Sequence, residues 1–400
     1  MSMNQTPQGE RVHIALFGRR NVGKSSLVNA MTGQAISIVS EVKGTTTDPV
    51  KKAMELLPLG PVLIIDTPGL DDEGELGNLR MERTLDILKQ TDIALLVLES
   101  GTGIDSCERS ILDLLQARKL PYALVLNKSD RAGTGDREIA DLKALAPVPI
   151  LRTSSTTGEG IRELKEVLAH LLPDESPRQL VGDLLQPGDW VLLVTPIDKA
   201  APKGRLILPQ QQTIRDILDS GAQALVTRET ELKQTLASLS KPPRLVITDS
   251  QVFGQVAAEV PREIPLTSFS ILFARYKGDL DELVRGSRAI GRLKDGDRIL
   301  MAEGCTHHRQ GDDIGTVKIP NWLEKRSGKR LVFDHSSGIG YGKELSDYAL
   351  IVHCGGCILI RREMLSRISQ AREKGVPIVN YGILIAAMKG ILSRCLEPFA

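Results

Sequence analysis

Two groups of residues in this chain have the types and the spacing that chemistry requires. The first is a glycine-rich loop near the N-terminus. Residues 18–25 read G-R-R-N-V-G-K-S, which fits the pattern G-x-x-x-x-G-K-S. Its glycines let the backbone wrap around a phosphate, so that N–H groups and a helix N-terminus face the anion. In this pattern Lys24 reaches the β- and γ-phosphates and Ser25 holds Mg²⁺. An apolar run over 12–17 precedes the loop and a helix-favouring stretch follows it, which is the context that the pattern needs.

Three further short motifs each follow an apolar run that predicts a β-strand. In Asp66-Thr67-Pro68-Gly69 the carboxylate can hold Mg²⁺ through water, and the Gly69 N–H can contact the γ-phosphate. In Asn127-Lys128-Ser129-Asp130 the last carboxylate can accept two N–H bonds from a guanine edge, a donor pair that adenine lacks. Ser154-Ser155-Thr156 can give backbone N–H groups to the guanine oxygen. Each motif alone arises by chance, but their order at successive strand ends predicts a guanine-nucleotide site.

The second group combines cysteines and histidines in the last third of the chain. Residues 305–308 read C-T-H-H and residues 353–357 read H-C-G-G-C, and each cluster comes just after an apolar run. If the two runs are strands of one parallel sheet, the clusters meet at its carboxyl edge. Three thiolates are soft ligands suited to an iron–sulfur cluster or to zinc. The candidate ligands are Cys305, Cys354 and Cys357, with His307, His308 or His353 as a possible fourth.

Other readings of these cysteines stay open at this point. A pair of structural cysteines, or a redox C-x-x-C, would also explain Cys354 and Cys357. The additional C-x-H element and the preceding histidine favour a metal centre, and zinc competes with iron because three cysteines and one histidine are a common structural zinc site. Cys107 and Cys395 are isolated in sequence and are interpreted as ordinary thiols.

Composition places the chain among soluble globular proteins. The 400 residues are 41% hydrophobic and 25% charged, with a formal net charge of +1. This balance lacks the basic footprint that is typical of nucleic-acid binders. No apolar run is long enough to predict a membrane span, and the polar start does not resemble a signal peptide. Five cysteines in so long a chain suit a reducing compartment, so we expect a cytoplasmic protein.

Apolar runs alternate with amphipathic stretches, which predicts an α/β fold with mostly parallel sheets. We expect a P-loop domain over 1–172, its sheet covered by helices on both faces, and two smaller α/β domains. A linker over 173–186 leads to a middle assembly domain over 187–267, and the candidate metal ligands fall in a C-terminal domain over 268–400. No internal repeat is evident in the sequence, so none is expected in the fold.

Residues 10–172 resemble the TrmE–Era group of GTPases, on the four motifs above and on Gly44-Thr45-Thr46-Thr47-Asp48. The latter is similar to the group's switch I pattern G-T-T-R-D, with Thr47 where Arg is usual. The resemblance implies that Thr46 binds Mg²⁺ beside the γ-phosphate. Leu70 stands where many GTPases carry a water-positioning Gln. Asn21 matches the P-loop Asn of potassium-activated members, although a plain loop-capping role is the alternative. The catalytic residues expected are Lys24, Thr46, Asp66 and Gly69. The nucleotide-binding residues expected are Gly18, Asn21, Val22, Gly23, Lys24, Ser25, Ser26, Thr45, Thr46, Asp66, Gly69, Asn127, Lys128, Asp130, Ser154, Ser155 and Thr156.

The pattern C-x-H, a gap and then H-C-x-x-C, placed after such a GTPase segment, resembles the HydF family of FeFe-hydrogenase maturation GTPases. Cys305, His307, His353, Cys354 and Cys357 fill the family's motif positions. The resemblance implies a 4Fe–4S cluster on three cysteines with an exchangeable fourth site, and a homodimer formed by the middle domain. It also implies a scaffold that receives a two-iron precursor, built with the radical-SAM partners HydE and HydG, and delivers it to apo FeFe-hydrogenase.

Two rival functions remain at this stage. One is an RNA-acting GTPase like other TrmE–Era members, although the sequence shows no basic RNA-binding module. The other is a zinc-bound regulatory GTPase without cluster chemistry. Iron and sulfide content distinguishes the maturation reading from both.

Overall fold

The structure, a computed structural model, describes residues 6–33, 50–67, 83–131, 136–172, 178–196, 206–304, 313–338, 341 and 344–400. The chain divides into two compact units, Met1–Glu175 and Ser176–Ala400. Within the described residues, no helix has the length and apolar character needed to cross a membrane.

The first unit is built on one six-stranded sheet with the order β2-β3-β1-β4-β5-β6. Its strands are β1 (Val12–Phe17), β2 (Val50–Leu56), β3 (Gly60–Asp66), β4 (Ile93–Glu99), β5 (Tyr122–Asn127) and β6 (Ile150–Arg152). All neighbours pair in parallel except β2, which runs antiparallel to β3 at the edge. The central strands are continuous apolar runs because both of their faces are buried.

Helices cover both faces of this sheet. They are α1 (Lys24–Thr32), α2 (83–89), α3 (Ser106–Ala117), α4 (Asp136–Leu145) and α5 (Ile161–Leu171). Alternate residues of β1 divide between two cores: Ile14 and Leu16 pack with α1 and α5, and Ala15 and Phe17 pack with α2, α3 and α4. The predicted P-loop domain with helices on both faces is confirmed.

The second unit contains two four-stranded parallel sheets, with the orders β10-β9-β7-β8 and β12-β11-β13-β14. The strands are β7 (Trp190–Val194), β8 (Gln223–Thr227), β9 (Leu245–Thr248), β10 (Leu266–Ser268), β11 (Arg298–Glu303), β12 (Val332–Ser337), β13 (Leu350–His353) and β14 (Ile378–Asn380). The helices are α6 (Leu208–Asp219), α7 (Leu232–Ser238), α8 (Phe253–Glu259), α9 (Phe269–Lys277), α10 (Leu280–Ser287), α11 (Ile319–Ser327), α12 (Arg361–Glu373), α13 (Tyr381–Met388) and α14 (Leu392–Leu396). The predicted further α/β layers are therefore confirmed, while the predicted domain boundaries stay a prediction.

The two sheets of the second unit are internal repeats of each other. Counted along the chain, each has its second, first, third and fourth strands in that spatial order. Gly188 and Gly296 precede the first strands with φ angles of 84° and 85°. The aspartates that follow them, Asp189 and Asp297, each accept a backbone N–H from three residues earlier at 2.8 Å. Equal topology with equal turn chemistry indicates a duplicated unit.

The repeat is clearest in sequence at the fourth strand and the helix after it. Residues 265–278 and 377–390 both fit P-[LI]-x-[SN]-[FY]-x-I-L-x-A-x-x-K-G. Ser268 and Asn380 cap α9 and α13, each accepting the backbone N–H three residues on. The expectation of no internal repeat is therefore wrong. The repeat is hard to recognise in the sequence because the similarity is confined to short segments, which loops of different length separate.

Candidate nucleotide site and metal centre

The glycine-rich loop joins β1 to α1 in a shape that requires glycine at two positions. Gly18 has a φ of 145°, and a Cβ there would lie 2.2 Å from the Val97 carbonyl oxygen. Gly23 has a φ of 94°, and a Cβ there would lie 2.4 Å from Asn127 Nδ2. Any side chain would therefore push the loop away from β4 and β5. Asn21 is exposed in this loop with a φ of 63°.

Lys24 and Ser25 begin α1 and lie against the loop. Lys24 is buried, and its Nζ donates to the carbonyl oxygens of Gly18 at 2.8 Å and Arg19 at 2.7 Å. Ser25 Oγ donates to Asp66 Oδ2 at 2.6 Å. The lysine ammonium and the serine hydroxyl thus lie at the helix N-terminus, where a phosphate is favoured by the helix dipole.

Asp66 ends β3 beside the start of α1, and its environment suits a divalent cation. Burial raises the pKa of its carboxyl, while the bond from Ser25 and the charges of Lys24 and Lys52 act in the opposite direction. Its Oδ1 atom is buried and has no hydrogen-bond partner among the described residues. A buried, unpaired carboxylate oxygen beside a serine hydroxyl is an oxygen donor set that fits Mg²⁺.

Asn127 connects the loops that surround the nucleotide site. It is 1% exposed; its Nδ2 donates to the Val22 carbonyl at 2.9 Å, and its Oδ1 accepts from Ser155 Oγ at 3.1 Å and Ser155 N at 3.3 Å. Asp130 accepts a hydrogen bond of 2.6 Å from Ser154 Oγ. The structure therefore brings the first, third and fourth motifs together at the carboxyl edge of the sheet.

Some of the other predicted positions lie around that framework, and some fall outside the described residues. Lys128 pairs with Glu99 at 3.0 Å, and Ser26 and Thr156 are exposed. Thr45, Thr46 and Gly69 fall outside the described residues, as do Cys305 and His307 of the second cluster.

Sequence reasoning missed an anchor that holds the glycine-rich loop from outside. Arg19 Nε lies 2.9 Å from Glu108 Oε1 and 3.4 Å from Asp105 Oδ2 at the start of α3. Burial raises the pKa of the Glu108 carboxyl, and the hydrogen bonds that it accepts from Asp105 and Arg19 oppose that rise. A variable position of the G-x-x-x-x-G-K-S pattern gives no sequence signal for such a contact.

In the second unit, β11 and β13 are adjacent parallel strands, with Ala302 opposite His353. Cys354 N donates to Ala302 O at 2.9 Å, and Gly304 N donates to Cys354 Sγ at 3.1 Å. The Cys354 sulfur therefore lies against the residue that precedes Cys305, as the two-strand hypothesis predicts. No group of three or more metal-ligating side chains occurs in the part of the chain that the structure describes.

The two described thiols of this cluster lie close enough to influence each other. Burial raises the pKa of the Cys357 thiol; the charge of Cys354 raises it further, and the charge of Lys277 lowers it. Neither cysteine forms a disulfide. Two thiols whose anionic forms repel each other, one of them accepting the N–H of the residue before Cys305, are a donor set that fits a thiophilic metal or an iron–sulfur cluster.

His353 is already fully engaged inside the protein. Its side chain is 0% exposed, Nδ1 lies 2.7 Å from the Cys354 carbonyl oxygen, and Nε2 lies 3.0 Å from Arg367 Nη1. Burial and the Arg367 charge lower the pKa of His353 to about 3, which keeps the imidazole neutral. A ligand role for His353 would require one of these contacts to break, so that role stays a prediction.

Four further residues around the cysteine loop were missed from sequence. Lys277 donates to the carbonyl oxygens of Cys357 and Leu359, both at 2.9 Å. Arg361 binds backbone carbonyls at the end of α9. Tyr381 Oη donates to the buried Glu303 carboxylate at 3.4 Å, and burial raises the pKa of this tyrosine. None of them belongs to a known metal-binding or nucleotide-binding motif, and each contact joins segments far apart in sequence.

The first unit is a P-loop GTPase domain, because the family model of 50S ribosome-binding GTPases matches residues 13–128. The chain is 38% identical over 164 residues to the tRNA modification GTPase MnmE of Chromobacterium violaceum, a match that covers 41% of this chain and 35% of the relative. It is 34% identical over 175 residues to the GTPase Der of Wolinella succinogenes, a match that covers 42% of this chain and 37% of the relative. The chain thus spans about a third of the length of these curated relatives.

A crystal structure of Aquifex aeolicus Era bound to GDP and AlF4⁻ aligns with 54% of this chain and 93% of that chain, at 20% identity and a TM-score of 0.37. Two other family models match the second unit: the hydrogen maturase F dimerization domain over 180–278 and the hydrogen maturase F tetramerization domain over 281–398. Together they cover more than half of the 400 residues. The chain belongs to the hydrogen maturase F family.

Proposed function

We propose that this protein is a GTP-hydrolysing scaffold that binds a 4Fe–4S cluster and matures FeFe-hydrogenase in the cytoplasm. It receives the two-iron precursor of the hydrogenase active site as cargo and delivers it to the apo-enzyme. One observation carries the proposal: a P-loop GTPase domain shares a chain with a unit in which Cys354 and the residue before Cys305 meet at one sheet edge.

For the GTPase half, the contacts of Lys24, Ser25, Asp66 and Asp130 indicate which groups GTP engages. The Lys24 ammonium exchanges the carbonyls of Gly18 and Arg19 for phosphate oxygens. Ser25 and Asp66 hold Mg²⁺, Asp66 through water, with Thr46 completing the site when GTP is bound. Asp130 exchanges its bond from Ser154 for the guanine edge.

Hydrolysis joins a water oxygen to the γ-phosphorus while the bond to the β–γ bridging oxygen breaks, giving GDP and phosphate. The negative charge that develops on the leaving oxygen is stabilised by Lys24 and the loop N–H groups, and Mg²⁺ held by Ser25 and Asp66 would add positive charge there. Leu70 cannot orient the attacking water; Asn21 would instead hold a K⁺ ion, which would supply additional positive charge, and Gly69 would donate its N–H to the γ-phosphate.

For the metal half, Cys305, Cys354 and Cys357 hold the cluster, with an exchangeable fourth position for which His307 and His353 are the candidates. The bound cluster supplies an electron-accepting iron site beside which cargo can be carried. The protein's own residues set its surroundings: the Gly304 N–H points at Cys354 Sγ, and Lys277 fixes the cysteine loop.

The partners follow from the same proposal. The second unit self-associates, at least as a homodimer, which accords with the dimerization and tetramerization models. HydE and HydG build the cargo and apo FeFe-hydrogenase receives it. GTP acts as a switch that orders the residues near Thr46 and Gly69 around the γ-phosphate and so changes how the carrier meets its partners.

Anaerobic iron and sulfide analysis with a visible spectrum tests this proposal. We expect brown protein with iron and sulfide in equal amounts, and loss of both in Cys354→Ala. Cys395→Ala is the matched control, because Cys395 is a buried cysteine of the same unit that lies outside the motif. Colourless protein that binds zinc after reconstitution would contradict the cluster and favour a zinc-bound regulatory GTPase.

A further inference from the structure

The duplicated halves of the second unit differ at the edge where the metal centre lies. The Val246 N–H donates to the Pro265 carbonyl, and the Ile351 N–H donates to the Pro377 carbonyl. Since these two prolines are equivalent in the repeat, β9 and β13 are equivalent strands. Asp249 then occupies the place of Cys354. The first repeat therefore has no cysteine at the equivalent position.

Lys277 is the part of the first repeat that reaches the metal centre. It ends α9 and its side chain is 2% exposed. Its Nζ donates to the carbonyls of Cys357 and Leu359, both at 2.9 Å, and lies 5.6 Å from the centroid of the Phe273 ring. The ammonium thus sits under the turn that carries the second cysteine of the C-x-x-C motif.

The equivalent lysine of the second repeat shows that this burial is not a property of the repeated helix. Lys389 has the same place in the shared K-G ending, but it is exposed. Its Nζ lies 5.9 Å from the centroid of the Trp322 ring. A lysine at this position is thus compatible with solvent, and Lys277 is buried because the cysteine loop covers it.

A second cation makes the contact reciprocal. Arg361 starts α12, directly after the cysteine loop, and its Nη1 donates to the carbonyls of Gly278 at 3.0 Å and Tyr276 at 3.3 Å. Lys277 therefore holds the loop from the first repeat, while Arg361 holds the end of α9 from the second.

We propose that Lys277 is a positioning residue of the metal centre, through which the first repeat fixes the cysteine loop and places a buried positive charge beside it. The charge part of this inference rests on the proposed function, and the loop part does not.

The sign of the charge effect follows from electrostatics. A 4Fe–4S cluster on three thiolates is anionic and becomes more so on reduction, and its potential depends on nearby charge. A buried ammonium stabilises the more negative state, because it is poorly screened by solvent. Removal of that charge is expected to lower the reduction potential.

The test compares Lys277→Met and Lys277→Gln with Lys389→Met in the full chain. In metal-free protein, hydrogen–deuterium exchange of the peptide over 354–361 is expected to be roughly tenfold faster or more in Lys277→Met, the effect of losing hydrogen bonds from a charged donor. In reconstituted protein, a redox titration followed by the signal of the reduced cluster is expected to show a lower potential in Lys277→Gln, which keeps a donor without charge. Lys389→Met should match the wild type in both measurements.

The outcomes separate this inference from the proposed function. Wild-type exchange in Lys277→Met, or exchange that Lys389→Met alters equally, overturns the loop role. An unchanged potential in Lys277→Gln overturns the charge role. A wild-type protein that takes up no iron overturns the proposed cluster and the charge role, while the exchange measurement still decides the loop role. If Lys277→Met does not fold, Lys277→Gln serves in both measurements.

Discussion

The substitution Asn127→Ala is expected to weaken guanine-nucleotide binding strongly, although most of what it removes lies within the protein. The Asn127 side chain joins Val22 of the glycine-rich loop to Ser155 of the last motif and to Thr153, which lies just before that motif. Without it, binding energy must be used to order both loops around the nucleotide.

The magnitude follows from the contacts. Asn127 donates one hydrogen bond of 2.9 Å and accepts three of 3.1, 3.2 and 3.3 Å. Such bonds contribute about 0.5–1.5 kcal/mol each, and the two hydroxyl donors can turn to water in the variant. The net loss is then about 3 kcal/mol, which corresponds to roughly a 100-fold increase in Kd for GDP.

The assay is a titration of full-length protein with a fluorescent GDP analogue. Gln116→Ala is the matched control: the Gln116 amide also bridges segments, donating to the Leu145 carbonyl at 3.2 Å, but it lies in α3 away from the loops. We expect its Kd to change by no more than about twofold. An Asn127→Ala protein that binds GDP as tightly as the control would refute the assignment of Asn127 as the link between the loops.

Three further predictions concern base, ion and thiol. Asp130→Asn should weaken GTP binding and favour binding of xanthosine triphosphate, whose extra carbonyl accepts the amide N–H. Hydrolysis of ATP by the wild type would contradict the assignment of Asp130 to guanine recognition. Hydrolysis should be faster in K⁺ than in Na⁺ at equal ionic strength, with the difference absent in Asn21→Ala; equal rates in both salts oppose the potassium role. Burial raises the pKa of Cys395 to about 12. At pH 8, iodoacetamide should therefore modify the half-buried Cys107 and leave Cys395 unmodified, as measured by mass spectrometry. Equal labelling would show that Cys395 is not buried in the core of its unit.

Strands buried on both faces could be predicted closely from the sequence. The apolar run predicted over 12–17 is the strand Val12–Phe17, with the same bounds. The edge strands β2 and β12 could not, because an edge strand keeps exposed polar residues and lacks a continuous apolar run. Strand order within each sheet also depends on pairing between distant segments, which the local pattern does not encode.

The candidate sites divide in the same way. Residue types fixed by chemistry, such as Lys24, Ser25 and Asp66, could be identified because a phosphate and a cation demand them at set spacings. Lys277 could not, because its role depends on a contact across 80 residues with backbone carbonyls that any sequence provides. His353 shows the converse: its type suggests a ligand, but only the fold reveals that both ring nitrogens already face Cys354 and Arg367.

The most direct test of the central claim is activation of apo FeFe-hydrogenase by Cys354→Ala protein that has the circular dichroism spectrum and oligomeric state of the wild type, with Cys395→Ala as control. If this chain carries the two-iron cargo at its cysteine centre, Cys354→Ala should hydrolyse GTP at nearly the wild-type rate and yet fail to activate the hydrogenase, while Cys395→Ala activates it normally. Full activation by folded Cys354→Ala would contradict a carrier role for this centre.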